Sequence, residues 1–311
     1  MNKPSSFPAF KFCNHLTVLQ ITGIDATTFL HSQFTNDVKN MQFGSIQLQG
    51  YCTPKGRLLS VFYLARCSET HYAMVVSRDQ IDSLLKRLRM YVLRAKVKFS
   101  EPSGAPRIIL DPATYLQSFQ ASGSKLARGS LLAINDEHFI GNVGVNIDRY
   151  IGWDTSVEKL SDQEIDGSNE WILQECKDGV ALIGAESSEQ HLPQSINLDL
   201  VNGVNFQKGC YPGQEIVARL RYLGKLKQRM LRFSIETNTI PKIGEHLFSN
   251  DKKAGTVVSS AQATNSKFIG LAVTHYMKLD WENTRLENGT KVTLIKPPYL
   301  IPELESPKME I

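Results

Sequence analysis

The sequence predicts an α+β fold in which helices cover one face of a sheet and a separate antiparallel β unit closes the chain. Three observations carry this. The first hundred or so residues alternate between strand and helix periodicity, in the order strand, helix, hairpin, strand, helix, strand. Beyond Pro241 the texture changes to short strands between Gly-containing turns. At 311 residues, 41% hydrophobic and 21% charged, the chain has the profile of a globular protein long enough for two or three compact units. The predicted division is 1–238 and 239–311.

The elements follow in order. LTVLQITGI (16–24) alternates and ends in glycine, as a strand entering a turn does. Asp25 is a candidate cap for a helix over 26–34, in which Phe29, Leu30 and Phe34 share a face. Gln47–Tyr51 and Leu58–Arg66 form strands around Thr-Pro-Lys-Gly, a turn by composition. Tyr72–Val76 is a further strand. Asp79 opens a helix presenting Ile81, Leu84, Leu85 and Leu88 on one side, and Lys96–Phe99 returns as a strand. Residues 101–130 are rich in Pro, Gly and Ser, with a helix near 112–120. Leu131–Ile134, His138–Ile140 and Tyr150–Trp153 are short strands, and Ser168–Cys176 a capped helix. The last third holds Ala254–Ser259, Phe268–Val273 and Lys291–Ile295 as strands. No internal repeat is present.

Composition excludes several classes. No apolar run approaches the roughly 18 residues of a membrane span. Met1–Phe12 lacks a basic-then-apolar leader pattern, so an intracellular, cytoplasmic protein is expected. Five cysteines, an odd number without a CxxC pair, argue against a disulfide framework or a zinc signature. None of the histidines forms an HxxxH pair, and no metal site is expected. The net charge of +4 is small, but KRLRMYVLRAKVK (86–98) and RLRYLGKLKQRMLR (219–232) contain no acidic residue. Such runs are either solvated faces or the lining of a site for an anionic ligand or RNA. Aromatics within them are few (Tyr91, Tyr222), so no stacking platform for nucleic acid is evident.

The segment with the most chemistry is KGCYPGQEIVAR (208–219). Pro212 suits the first position of a helix that Gly224 would stop. Cys210 would then sit just before a helix N-terminus, with Lys208 and Arg219 adding positive charge, a setting that favours a reactive thiolate. Gly209 and Gly213 would allow close approach of a ligand or of backbone. The alternative is that Cys210 is a small packed residue, as most cysteines are.

That run matches the signature K-G-C-Y-x-G-Q-E-x-x-x-R/K of the YgfZ family without a gap. LPQSINLDLVNGVNFQ (192–207), LQITGIDATTFLHSQFTNDV (19–38), YCTPKGRLLS (51–60) and MYVLRAKV (90–97) are similar to the family's flanking segments. The resemblance covers roughly 15–235 and, more loosely, the C-terminal β unit. It implies the fold of the glycine cleavage T-proteins, tetrahydrofolate-dependent aminomethyltransferases: a ferredoxin-like α+β domain, a folate-binding centre and a C-terminal antiparallel β-barrel. It implies a folate-binding protein that maintains iron–sulfur enzymes, including one that thiomethylates tRNA. The implied partners are iron–sulfur enzymes or assembly factors, with no direct tRNA chemistry and no membrane.

The residues implied are Cys210 as the working thiol with Lys208 and Arg219, and Trp171, Gln194 and Tyr211 at the folate. Trp171 would stack on the pterin, an interaction of about 0.5–1.5 kcal/mol beyond area burial; core packing is the other reading of that tryptophan. Gln194 stands where T-proteins and many relatives carry a glutamate. Arg94 and Lys96 in the first basic run, and Arg219 and Arg221 in the second, are candidates to meet the folate glutamate tail. The T-protein catalytic aspartate cannot be placed, since Asp37 lacks its surrounding pattern. Aminomethyl transfer is accordingly the alternative function.

Overall fold

In a computed structural model the described residues are 9–100, 102, 105–121, 125–155 and 165–305. Residues 1–8 of the Met1–Phe12 segment, read above for a leader pattern, lie outside them, as do 306–311. The first part of the chain runs β1 (Phe10–Phe12), β2 (Leu16–Thr22), α1 (Ala26–Gln33), β3 (Ser45–Cys52), β4 (Leu58–Arg66), β5 (His71–Ser77), α2 (Ile81–Val92) and β6 (Lys98–Phe99). Strands β2 to β6 form an antiparallel sheet in the order β3-β4-β5-β2-β6, a ferredoxin-like layer with one strand added to the βαββαβ pattern. The predicted helix faces are the ones buried: Phe29, Leu30 and Phe34 from α1 and its end, and Ile81, Leu84, Leu85 and Leu88 from α2, pack with Leu19, Ile21, Phe62 and Met74.

A second sheet gathers β1, β7 (Arg107–Ile109), then, after α3 (Pro112–Gln117), β8 (Leu131–Ala133), β9 (His138–Asn142) and β10 (Tyr150–Asp154), in the order β1-β7-β10-β9-β8. Next come α4 (Ser168–Asp178), the long irregular segment with its short 3-10 turns, and α5 (Gln214–Tyr222). The last sheet contains β11 (Arg229–Glu236), β12 (His246–Ser249), β13 (Lys252–Gln262), β14 (Lys267–Thr274), β15 (Thr284–Leu286) and β16 (Val292–Ile295), followed by α6 (Pro302–Glu305). Its order is β15-β12-β13-β14-β11-β16, and a bridge between Arg285 and Lys291 draws its outer strands together, so the sheet curls toward a barrel. α4 packs on β13 and β14, tied there by Asn169, whose side chain exchanges two hydrogen bonds with the Gln262 backbone. One apolar core joins all three sheets, from Val61 and Tyr63 through Ile151 and Trp153 to Trp171, Met230 and Val273.

Several local expectations need correction. Asp25 precedes α1 but makes no side-chain cap. Its carboxylate accepts the Lys96 N–H instead and so pins the chain beyond α2. Asp79 lies in a 3-10 turn (Arg78–Gln80) before α2, and its carboxylate accepts from Ser77 and from the Ala185 N–H. The strand expected at Lys96–Phe99 is only Lys98–Phe99, because a turn closed by Ala95 N–H on the Val92 carbonyl intervenes. α4 is preceded by Gly167 without a side-chain cap, and extends to Asp178 before Gly179 stops it in the left-handed conformation (φ 72°). The C-terminal sheet begins with β11 at Arg229, upstream of the 238/239 division, because β11 lies between β14 and β16.

Candidate functional site

α1 ends at Gln33, and the last carbonyls of a helix have no partner inside it. Lys208 supplies one. Its side chain is buried, and its ammonium donates to the carbonyls of His31 and Phe34. A cation is the complement that a helix C-terminus favours. The ammonium also lies 4.9 Å from the centre of the Tyr211 ring. Burial pulls the Lys208 pKa down to about 8, against the opposing pull of Asp37 and Cys210.

The chain around Lys208 is fixed at several points. Asn205 donates its N–H to the Thr35 carbonyl and with its side-chain oxygen accepts the N–H groups of Gln207 and Lys208. The Gln214 side chain donates to the Lys208 carbonyl. Gly213 has φ 81°, and a methyl group there would lie 2.4 Å from the Thr53 carbonyl oxygen and 2.7 Å from the Gly56 α-carbon. The turn is thus pressed against the β3–β4 hairpin. Because Gly213 is left-handed, it cannot be a helical residue, and α5 starts at Gln214 rather than at Pro212. Cys210 therefore sits upstream of the helix and not on its N-terminus, which corrects the sequence expectation.

Cys210 is instead on the wall of a cavity of 510 Å³ between this loop and the end of α1, together with His31, Asp37, Lys39 and Lys208. It is exposed, whereas Cys13, Cys52 and Cys176 are buried and Cys67 is half-buried. Asp37 accepts both the backbone and side-chain N–H groups of Asn40 and lies 3.3 Å from His31 Nδ1. Burial raises the Asp37 pKa, but the Asn40 bonds and the nearby His31 and Lys208 outweigh it and hold the carboxyl below its ordinary value. His31 Nδ1 also lies within reach of the Lys39 N–H, 3.3 Å away. Burial, then Lys208, pushes the His31 pKa down, against the pull of Asp37. In the neutral form, with Nδ1 accepting the Lys39 N–H, the ring proton sits on Nε2. That nitrogen faces Gly209, where a methyl group would be 3.6 Å away.

A second cavity, of 240 Å³, lies where the ferredoxin-like sheet meets the second sheet. Ile46, Leu48, Val143, Val145 and Val201 make its apolar walls, and Gln47, Tyr63, Arg128 and Asn202 its polar ones. Behind Tyr63 is a buried polar cluster. Arg149 donates to the Tyr63 hydroxyl (2.9 Å) and to Asp178 (3.0 Å), and lies 3.8 Å from Glu175. Asp178 also accepts the N–H groups of Val145, Asn146 and Ile147. One guanidinium cannot neutralise two buried carboxylates. Asp178 takes the close pairing, and burial pushes the Glu175 pKa up to about 8, against the pull of Arg149.

The predicted site residues do not all converge. Lys208 and Cys210 share the first cavity. Arg219 is exposed on α5 and lines neither cavity. Trp171 is fully buried. Arg149 covers its ring at 5.1 Å and Tyr63 meets it edge-on at 6.3 Å, so core packing accounts for its position and a ligand does not reach its face in this conformation. Gln194 is a strut, its side chain donating to the Val217 carbonyl and its backbone carbonyl accepting from Arg229. Tyr211 is buried beside Lys208. Arg94, Lys96 and Arg221 are exposed and belong to neither cavity, Arg221 resting on the Phe206 ring at 5.4 Å. The residues chosen from the basic runs are therefore surface features here, whereas Arg229 of the second run is buried. Reading the sequence missed His31, Lys39, Tyr63, Arg149 and Glu175. Of these only His31 lies in a segment compared above with the family's (19–38), and only tertiary contact assembles them.

Set against known proteins, the geometry has clear relatives. The GCVT N-terminal domain family matches residues 13–109. A crystal structure of the glycine cleavage system aminomethyltransferase T from Bartonella henselae superimposes with a TM-score of 0.72 over 94% of this chain and 86% of that one, at 13% identity. The chain thus has the glycine cleavage T-protein fold. Within that class its sequence relatives are YgfZ proteins. The tRNA-modifying protein YgfZ of Serratia proteamaculans is 26% identical over 302 residues, 92% of this chain and 91% of its own. That of Vibrio vulnificus is 29% identical, covering 85% of this chain and 83% of its own. Among the described residues no helix is long and apolar enough to cross a membrane.

Proposed function

We propose that the chain is a folate-binding accessory protein of iron–sulfur cluster assembly or repair that supports tRNA modification, with Cys210 as its working group. The observation that carries this is the selective exposure of one thiol. The signature loop is anchored by Lys208, Asn205 and Gly213, and Cys210 is the cysteine it holds at an open cavity. Burial pushes the thiols of Cys52, Cys67 and Cys176 up to about 12, which leaves them inert near neutrality.

The lining of the second cavity supports a site for the ring end of a reduced folate. Its apolar walls suit a flat bicycle, Tyr63, Gln47 and Asn202 offer the hydrogen bonds its polar edge needs, and Arg128 offers a guanidinium to a tail carboxylate. At 240 Å³ it is below the about 300–1,000 Å³ of sites that enclose a whole drug-sized ligand, so the tail would extend outward. Bound there, a folate would supply one-carbon chemistry, while this chain's residues hold and orient it.

The T-protein fold favours aminomethyl transfer as a second reading. That reaction needs a carboxylate near the folate nitrogen, and the second cavity has none on its walls. The two readings separate by experiment. In cells lacking the native protein, Cys210→Ala is expected to fail to restore iron–sulfur enzyme activity and tRNA thiomethylation. Full restoration by that variant would overturn the role of Cys210. Formation of methylene-tetrahydrofolate from an aminomethyl-lipoyl carrier protein would establish the second reading instead.

A further inference from the structure

The end of α2 combines exposed apolar side chains, basic residues and a strained turn, and none of them lines either cavity. The inward positions of α2 belong to the core, where Ile81, Leu84, Leu85 and Leu88 are buried. Its last turn instead points Met90 and Tyr91 at solvent. Leu93, just past the helix, is the most exposed large apolar side chain among the described residues. The β2–α1 turn adds another. Asp25 accepts the Lys96 N–H at 2.7 Å, and a methyl group on Gly23 would overlap the Lys96 carbonyl. Ile24, between them and exposed, therefore stands against the same segment. Around these tips Lys86, Arg94 and Lys96 are exposed, and 86–98 contains no acidic residue. Leu93 has φ 46° and ψ −104°, angles that glycine adopts without strain. A leucine that is strained and also bare of contacts gives the fold nothing, and such positions cluster where something binds.

We infer that this corner docks on an anionic lipid surface, with Ile24, Met90 and Leu93 entering the headgroup boundary and Lys86, Arg94 and Lys96 meeting the lipid charges. Charge complementarity carries the choice of occupant. A cluster of lysines and arginines around an apolar tip is the pattern that binds anionic headgroups, and a tyrosine such as Tyr91 suits the headgroup level. The nearby acid, Asp25, is engaged by the Lys96 backbone. RNA would satisfy the cations but leave three aliphatic side chains in water. A second copy would bring two basic faces together. A protein partner would need a pocket matched to these tips, whereas a lipid boundary takes a protruding tip without one. The contact is peripheral, since no helix among the described residues is long and apolar enough to cross a membrane. It adds a lipid partner to a chain for which the family resemblance implies none, and it does not rest on the role of Cys210.

The test is flotation of the full chain with vesicles of phosphatidylcholine alone, or of phosphatidylcholine and phosphatidylglycerol in equal parts. The chain is expected to float with the anionic vesicles at low salt and not with the neutral ones, and the bound fraction should fall as salt rises. Leu93→Gly should lower the partition coefficient roughly 3- to 10-fold without loss of stability in urea, which separates lost contact from lost fold. Arg94→Glu combined with Lys96→Glu, both exposed, should lower it by more than about 10-fold. No binding to anionic vesicles, or equal binding to both kinds, would overturn the inference. So would a Leu93→Gly variant that floats as the parent does, because charge alone would then hold the chain. Two further results would give the face to another occupant. One is retardation of a tRNA transcript without vesicle binding. The other is failure of Leu93→Gly to restore iron–sulfur enzymes in cells, again without vesicle binding, which would indicate a protein.

Discussion

At the scale of the residue, the signature is mostly a device for holding a loop. Lys208 is a helix C-terminal cap, Tyr211 packs under it, and Gly213 allows contact with the hairpin. Gly213→Ala tests this directly. The methyl would meet backbone at 2.4 Å in a left-handed conformation, so the variant should lose at least about 1–3 kcal/mol in urea unfolding. A loss within error would show that the turn is not under that constraint. Glu175 supplies a pH test. Its folded pKa, about 8, is above the unfolded value, so the folded state binds the extra proton. Its contribution to stability is fully present below about pH 4.3, the ordinary glutamate value, and is lost as pH rises through 8. Glu175→Gln, neutral throughout, should flatten the decline of unfolding free energy between pH 5 and 8. An unaltered pH profile would mean that Glu175 is ionised in the fold. Side-chain fates like these were the least legible part of the sequence. It marked Lys208 and Cys210 as neighbours of interest, but the use of the lysine on α1 carbonyls depends on a contact across 177 positions.

At the scale of the element, the periodic segments were readable because burial on one face imposes the period. The hairpin strands and the buried sides of α1 and α2 agree with expectation. Ends were less readable, since caps are chosen by tertiary geometry: Asp25 and Asp79 both bond to segments remote from their own helices. The end of α2 has no sequence signal at all. Leu93 occupies φ 46°, ψ −104°, in the second position of the turn closed by Ala95, and its side chain is 88% exposed. Glycine is the residue that adopts such angles without strain. Leu93→Gly should relieve about 1–3 kcal/mol of strain against an entropic cost of about 0.5–1 kcal/mol. A net gain of about 1 kcal/mol is therefore expected in equilibrium unfolding, together with less exposed apolar surface. A destabilised variant would show that the leucine side chain contributes more than its exposure suggests. The basic runs illustrate the same limit, because the pattern does not separate exposed Arg219 and Arg221 from Arg229, which is buried.

At the scale of the whole molecule, the N-terminal α+β layer and the C-terminal β unit were legible, but not the middle sheet or the joint between sheets. That joint is Arg229, the first residue of β11, 2% exposed. It donates to both oxygens of Asp199 (2.7 and 3.2 Å), to both oxygens of Glu303 (2.7 and 3.1 Å) and to the Gln194 carbonyl (2.9 Å). One guanidinium thereby ties the irregular segment before the signature, the C-terminal sheet and α6. Asn197 reinforces it through the Met230 backbone, and the Tyr299 hydroxyl reaches back to Gly179 at the end of α4. Because Gln194 also holds the Val217 carbonyl of α5, the joint is linked through one side chain to the helix that follows Cys210. Removing the arginine leaves the Asp199 carboxylate, 1% exposed, without a counter-charge. Arg229→Ala should therefore cost about 3–5 kcal/mol, and Arg229→Lys should recover only part, since an ammonium cannot make the paired bonds of the guanidinium. Pairing Arg229→Met with Asp199→Asn should recover more than either single change predicts, because the cost lies in the stranded charge. Urea titrations of Arg229→Ala, Arg229→Lys, the double variant and its two single changes decide it. A loss below about 1 kcal/mol for Arg229→Ala, the scale of an exposed ion pair, would place the strength of the joint in the apolar core shared by the three sheets.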